Sequence, residues 1–329
     1  MVRILIVSEK DDSHAIRVAY QLAQCCADVV LLDMTMFPNH IDGSFAIEGG
    51  GRQSVSLGGV NQATIDVVWW RRPSPTTPAQ RYFMFDTDFT QVECDQFLEG
   101  LLWSIPCAWV NNPTNEIRAS RKIYQLTTAV ELGLDVPRTL VTTEVSKARE
   151  FVENLGSATI TKRLGTARGL ATETRILTRE DLARMHTVQS CPTLFQEYIP
   201  PAGDIRVVVM GENIYSFWID SSHGANPVDS RVDMRVAHTP YNLPLRECGQ
   251  IRSLLDALGL VCGVIDLRMS STERIYFLEV NPAGQWDYLE AMTGIPLAKH
   301  MALTLINCAE TPGTTPYARL SSGPRRASA

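Results

Sequence analysis

No stretch of this 329-residue chain is apolar for long enough to span a bilayer, and none is a run of like charges. The opening residues, Met1-Val2-Arg3-Ile4, carry no basic region, apolar core and cleavage site of a secretory signal. A cytoplasmic location without membrane attachment is therefore expected. The eight cysteines include no C-x-x-C pair, which argues against a zinc ribbon or disulfide framework. Their mostly apolar neighbours predict buried free thiols. Histidine is scarce: the six are scattered, with no ligand spacing and no Ser-His-Asp or Cys-His pattern. Basic residues are outnumbered by acidic ones, 30 to 36, so the net charge of −6 lacks the basic stripe of a nucleic-acid binder. No G-x-G-x-x-G follows the first predicted strand, no Walker loop is present, and no repeat is visible.

What remains is an ordinary globular balance, 45% hydrophobic and 20% charged, long enough for two or three subdomains. Strand, helix and strand signals at Arg3–Val7, His14–Cys25 and Val29–Asp33 predict a βαβ unit, with Asp11-Asp12-Ser13 offering the helix cap. A glycine-rich hairpin over Phe37–Gly59 follows. Ile65–Trp70 reads as another strand, ending at Arg71 and Arg72. Arginines at the carboxyl end of a sheet strand lie where open α/β sheets take ligands, so this pair is a candidate for a carboxylate or phosphate; solvated or ion-paired arginines are the alternative. One helix is predicted over Thr114–Leu132, with Ile117, Ile123, Leu126 and Val130 as its apolar stripe and Lys122 within it. The strand Ala158–Arg163 carries Lys162 into the small loop Gly165–Gly169, where backbone N–H groups and a lysine suit phosphate oxygens.

Two hairpins follow. In the first, Asp204 and Arg206 share a face of the strand Asp204–Met210. The polar stretch after it, Ser221–Asp233, reads as a mobile loop with Asp229 and Arg231. The second joins Gly263–Met269 to Arg274–Val280. A turn centred between Thr272 and Glu273 sets Asp266 opposite Glu279, and Asn281 lies on the same face two residues on. Two carboxylates and an amide oxygen among Val, Ile, Leu and Phe call for a cation. All-oxygen ligation fits Mg2+, whose shell phosphates commonly complete.

In order, the signals are Lys122, Lys162 before a glycine loop, Gln-Glu197-Tyr198-Ile199, Asp204-Ile-Arg206, and Asp266 with Glu279-Val-Asn281. This order resembles the ATP-grasp carboxylate–amine ligases. Val68-Trp-Trp-Arg-Arg72, Cys191–Pro200, Tyr241-Asn-Leu-Pro244 and Glu279–Gly284 narrow it to the microviridin-type branch, the graspetide synthetases, relatives of the ribosomal-protein glutamate ligases. The resemblance implies an α/β chain with an N-terminal pre-ATP-grasp, Rossmann-like domain at 1–112. A central subdomain at 113–192, with leader docking around 170–190, a C-terminal subdomain with the Mg2+ site at 193–310 and a flexible tail at 311–329 would follow. It implies ATP-dependent activation of Asp or Glu side chains of a precursor peptide and their joining to Thr, Ser or Lys. Lys122 and Lys162 would meet the phosphates of ATP. Glu197, Tyr198 and Ile199 would form the adenine hinge, and Asp204 would lie at the nucleotide. Arg206 and Arg231 would act on the transferring phosphoryl group, and Asp266, Glu279 and Asn281 would hold Mg2+. A homodimer is implied too. Two other functions stay open: a ligase for free amino acids or a protein terminus, and a nucleotide-binding regulatory module without turnover.

Overall fold

A computed structural model describes residues 1–60, 64–78, 87–165, 174–223, 226, 228 and 236–310. The glycine loop from residue 166, the start of the docking segment, Asp229, Arg231 and the tail from 311 lie outside the described residues.

The first elements are β1 (Arg3–Ser8), α1 (Ser13–Gln24), β2 (Asp28–Leu32), the hairpin β3 (Gly43–Ile47) and β4 (Gln53–Leu57), β5 (Val67–Arg72), α2 (Thr87–Trp103) and β6 (Ala108–Val110). Strands β2, β1, β5 and β6 form one parallel sheet in that order. Its strands are continuous apolar runs because both faces are covered. The pleat sends Ile4, Ile6, Val67 and Trp69 towards α1 and the last helix, and Leu5, Val7, Val68 and Trp70 towards Leu98, Leu101 and Leu102 of α2. Asp12 caps α1 by accepting from the backbone N–H of His14 and Ala15, and His14, Ala15, Val18 and Leu22 form its buried stripe.

The predicted helix over Thr114–Leu132 is two helices, α3 (Pro113–Ala119) and α4 (Lys122–Glu131). Arg121 leaves the helical region (φ −83°, ψ 109°), and the Gln125 amide donates to the Ala119 carbonyl at 2.6 Å, satisfying an acceptor at the break. The break also resets the helical phase. Ile117, Ile123 and Val130 are 50%, 54% and 60% exposed, while Gln125, Thr128 and Ala129 are buried. Lys122 thus starts a helix instead of sitting inside one.

Next come β7 (Thr139–Thr142), α5 (Val145–Leu155), β8 (Thr159–Lys162), β9 (Arg175–Ile176), α6 (Arg179–Ala183) and β10 (Thr193–Glu197). They build an antiparallel sheet ordered β7-β10-β8-β9. Strand β10 pairs with both β7 and β8, so this sheet runs past the boundary expected at residue 192.

The third sheet is antiparallel, ordered β13 (His238–Pro240), β12 (Asn213–Ile219), β11 (Pro201–Met210), β14 (Cys262–Ser270) and β15 (Ile275–Asn281), with helices α7 (Leu245–Leu258), α8 (Asp287–Thr293) and α9 (Leu297–Glu310). Alternation along β11 and β14 turns Ile205, Val207, Val209, Ile265 and Leu267 onto α7. Val208, Met210 and Val264 face the opposite way, into the core shared with the first sheet and α9. Arg206 and Asp266, cross-strand partners, share that second face. All eight cysteines are free, yet only Cys262 and Cys308 are buried; Cys25, Cys26 and Cys191 are exposed, against expectation. Among the described residues no helix is long and apolar enough to cross a membrane.

Candidate active site

The register of β14 on β15 is what brings the carboxylates together. Met269, Arg268 and Leu267 pair with Ile275, Tyr276 and Phe277, a course that would set Asp266 opposite Leu278. A bulge between Asp266 and Leu267 shifts the ladder by one, and Asp266 faces Glu279 as expected. The turn is centred one half-step from the expected place and the bulge compensates. The carbonyl of Leu278, the extra residue, lies 3.4 Å from Lys162 Nζ.

A cleft of about 450 Å³ opens here, walled by β8 and β10 on one side and by β11, β14 and β15 on the other. Lys122, Lys162, Arg206, Asp266, Glu279 and Asn281 all line it. The Lys122 ammonium donates to Glu279, and Arg206 Nη1 donates to Asp266 Oδ1 at 2.6 Å. Asp266 and Glu279 therefore each have a cationic partner, which lowers the cost of holding them among apolar walls. Burial works against the Arg206 charge, but Asp266, Tyr288 and Glu279 outweigh it and hold the guanidinium above its ordinary range. Among the described residues no group of three or more His, Cys, Asp or Glu side chains forms a metal cage. Two carboxylates with one amide fit a hard divalent ion whose remaining positions fall to phosphates and water.

The loop after Glu279 is held from several directions. The buried Gln125 side chain donates to the Val280 carbonyl (2.8 Å) and accepts from the Val280 N–H (3.1 Å), so α4 pairs with the strand between Glu279 and Asn281. Asn111 donates to the Cys262 carbonyl and accepts from the N–H groups of Val261 and Cys262, all within 3.0 Å. His14 Nε2 accepts from the N–H of Trp286 (2.9 Å) and Asp287 (3.1 Å). Arg71 does not reach the cleft. It is 3% exposed, donates to the carbonyls of Ala283 (2.8 Å) and Gly284 (3.0 Å), and pairs with Asp12 at 3.3 Å. The substrate role expected of it is replaced by bracing of the ligand loop. Burial pulls its pKa down to about 10 against Asp12, which leaves it charged at neutral pH. Arg72 is exposed and is not part of the cleft wall.

At the other end of the cleft, Glu197 and Ile199 line the wall but Tyr198 does not. The Tyr198 N–H is spent on the Ala158 carbonyl (2.8 Å), and its ring lies 6.0 Å from the Arg268 guanidinium. Asp204 borders the cleft with its carboxylate gripped by Arg268 Nε (2.7 Å) and Nη2 (3.1 Å). Gln125, Arg268, His14 and the cleft-lining His238 and Tyr288 were not legible as site residues. Each acts on a partner distant in sequence or through a backbone group, and neither leaves a local spacing signal.

No family model matches the chain. Among solved structures it is similar to the RiPP-associated ATP-grasp ligase of Chryseobacterium gregarium in complex with ADP and a leader and core peptide, with TM-score 0.83, 24% identity, and coverage of 93% of this chain and 97% of that one. It is also similar to the macrocyclase MdnC of Microcystis aeruginosa MRC, bound with precursor peptide MdnA, with TM-score 0.81, 26% identity, and coverage of 93% and 100%. A probable alpha-L-glutamate ligase of Mannheimia succiniciproducens is 26% identical over 223 residues, 66% of this chain and 73% of that protein. Fold and cleft together define an ATP-grasp ligase. Within that class the chain resembles the microviridin-type, peptide-modifying ligases.

Proposed function

We propose that this ligase uses ATP to activate Asp or Glu side chains of a ribosomally made precursor peptide and joins them to Thr or Ser hydroxyls or Lys amines, closing macrocyclic esters or amides. The observation that carries the reading is the set of Asp266, Glu279 and Asn281 meeting Lys122, Lys162 and Arg206 in one cleft. Its support from outside is the likeness to ligases solved with precursor peptides.

A carboxylate cannot expel oxide, so its oxygen first attacks the terminal phosphorus of ATP and ADP leaves. The acceptor then attacks the acyl carbon of the resulting acyl phosphate, and inorganic phosphate leaves. Asp266, Glu279 and Asn281 would hold Mg2+, which supplies positive charge to the transferring phosphoryl group when bound. Lys122 exchanges its Glu279 partner for phosphate oxygens, and Lys162 meets the same phosphates from β8. Arg206 stays on the third sheet, tied to Asp266 and to the Gln285 carbonyl at 2.8 Å, and offers its charge where the acyl oxygen turns negative. Glu197 and the Ile199 backbone border the adenine, with Asp204 at the nucleotide. Arg231 is a further candidate for the phosphoryl group. We also take the division into domains at about 112 and a C-terminal Mg2+ subdomain, homodimeric assembly and cytoplasmic location as parts of this reading. Light scattering of the purified chain tests the dimer.

The test is co-expression with each short reading frame flanking its gene, followed by mass spectrometry of the peptides. Loss of one water mass per crosslink is expected. A mass gain on the acceptor would select a ligase that adds amino acids, and absence of ATP consumption with every acceptor would select a regulatory module.

A further inference from the structure

The second half of the reaction needs a proton acceptor, and the groups placed so far around Asp266 and Glu279 do not supply one. Lys122, Lys162 and Arg206 are cations, and Asp266 and Glu279 are held by two of them. His238 is differently set. It begins β13, pairs with Ile219 of β12, is half-buried, and lines the cleft beside Arg206, Asp266 and Tyr288. Its Nδ1 lies 2.7 Å from the Val236 carbonyl oxygen. A carbonyl only accepts, so Nδ1 carries the proton and the lone pair of the neutral ring is on Nε2. Tyr288 of α8 meets the ring edge-on at 5.4 Å and 83°, which fixes its plane. Burial first, and then the Arg206 charge, hold the imidazole below its ordinary pKa of 6.5 against the Val236 bond, so it is neutral at neutral pH. Among the described residues, the titratable and charged groups around it are Arg206 on β11, Tyr288 on α8 with Asp266 behind it, and Asp220 at the end of β12, whose N–H approaches the Ala237 carbonyl at 3.5 Å.

We propose that His238 is the general base of the ligation step, taking the proton of the acceptor hydroxyl or amine at Nε2 as that group attacks the acyl phosphate. The acceptor oxygen or nitrogen forms a bond to the acyl carbon, and the carbon–oxygen bond to phosphate breaks. The electron pair departs with phosphate, and the proton passes from Nε2 to that phosphate, restoring the neutral ring. This inference rests on the ligase reading and assigns a residue to its second step only.

The two steps separate experimentally, because hydroxylamine intercepts an acyl phosphate as a hydroxamate without help from a base. The probe is the flanking peptide that the unaltered enzyme crosslinks, with ATP, Mg2+ and hydroxylamine. His238→Asn keeps an amide donor for Val236 but has no basic nitrogen, so a purely structural role survives in it. The expected result is crosslinking reduced by about 10²-fold to 10⁴-fold while hydroxamate still forms, with loss of the acidic limb of the pH–rate profile. Crosslinking within tenfold of the unaltered enzyme, or hydroxamate falling in parallel with crosslinking, would overturn the assignment. An unaltered enzyme that yields neither product from any peptide would instead remove the ligase reading beneath it.

Discussion

Arg206 and Asp266 are held together at 2.6 Å on the wall of the cleft, and the two test each other. Replacing Arg206 with Ala removes the charge proposed to face the acyl oxygen and leaves Asp266 without its cation. Peptide-dependent ADP release is expected to fall by about 10²-fold to 10³-fold, as for loss of one preorganised donor. Steady-state kinetics with saturating Mg2+ read this directly; an unchanged kcat would remove Arg206 from the mechanism. Glu116 makes a different prediction at the same scale. Burial above all pushes its carboxyl up from 4.5 to about 8, against the opposing pull of Arg71, Asn111 and Arg72. The folded value lies above the unfolded one, so the stabilisation is present below the unfolded pKa of 4.5 and is lost as pH rises towards about 8. Urea unfolding is expected to weaken across that window by up to about 1.4 kcal/mol per pH unit. Glu116→Gln should flatten the slope, and an identical slope in the variant would show that other groups set it.

Among the elements, α4 and β15 act as one piece. Lys122 starts the helix and reaches Glu279, while Gln125, three residues on, pairs with both polar groups of Val280. Helical spacing puts the two side chains on one face, so the helix that carries Lys122 also fixes the strand that carries Glu279 and Asn281. Gln125→Ala strands the Val280 N–H and two carbonyls, at a cost of about 1–3 kcal/mol for each group left unpaired. Urea unfolding should show the loss, and a Mg2+ titration of ADP release should show a higher half-saturation. Unchanged Mg2+ dependence would mean that the strand keeps its register without this tether. The period-two pattern that sorts Asp204 and Arg206 from Ile205 and Val207 was legible, since only alternation satisfies a sheet with one apolar face. The break at Ser120–Arg121 was not. Neither half carries a stop signal at that point, and Gln125 satisfies the Ala119 carbonyl where Arg121 leaves the helical region.

Across the whole molecule, the first sheet and the third share a core. Ile4, Val67 and Trp69 belong to the same buried cluster as Val208, Val264, Trp286 and the α9 residues Leu297, Met301 and Leu305. Arg71 crosses this junction, bonding residues 212 and 213 positions away. Arg71→Met takes from Asp12 its arginine and from the Ala283 and Gly284 carbonyls their donor, and is expected to cost about 3–5 kcal/mol in urea unfolding. A variant with full stability but a raised KM for peptide would return Arg71 to a substrate role.

The sequence by itself determined individual strands and helices through apolar periodicity, a local property, while the class of fold followed from a resemblance carried by the order of motifs from Lys122 to Asn281. It also determined that Glu279 and Asn281 share a face of β15, since residues two apart in a strand do. Tertiary structure alone decided the bulge that puts Glu279, not Leu278, against Asp266, the burial of Arg71, and the exposure of Ile123 and Val130. Those depend on which distant backbone groups need partners once the sheets meet, and a hydrogen bond across two hundred residues leaves no trace in the spacing of either end.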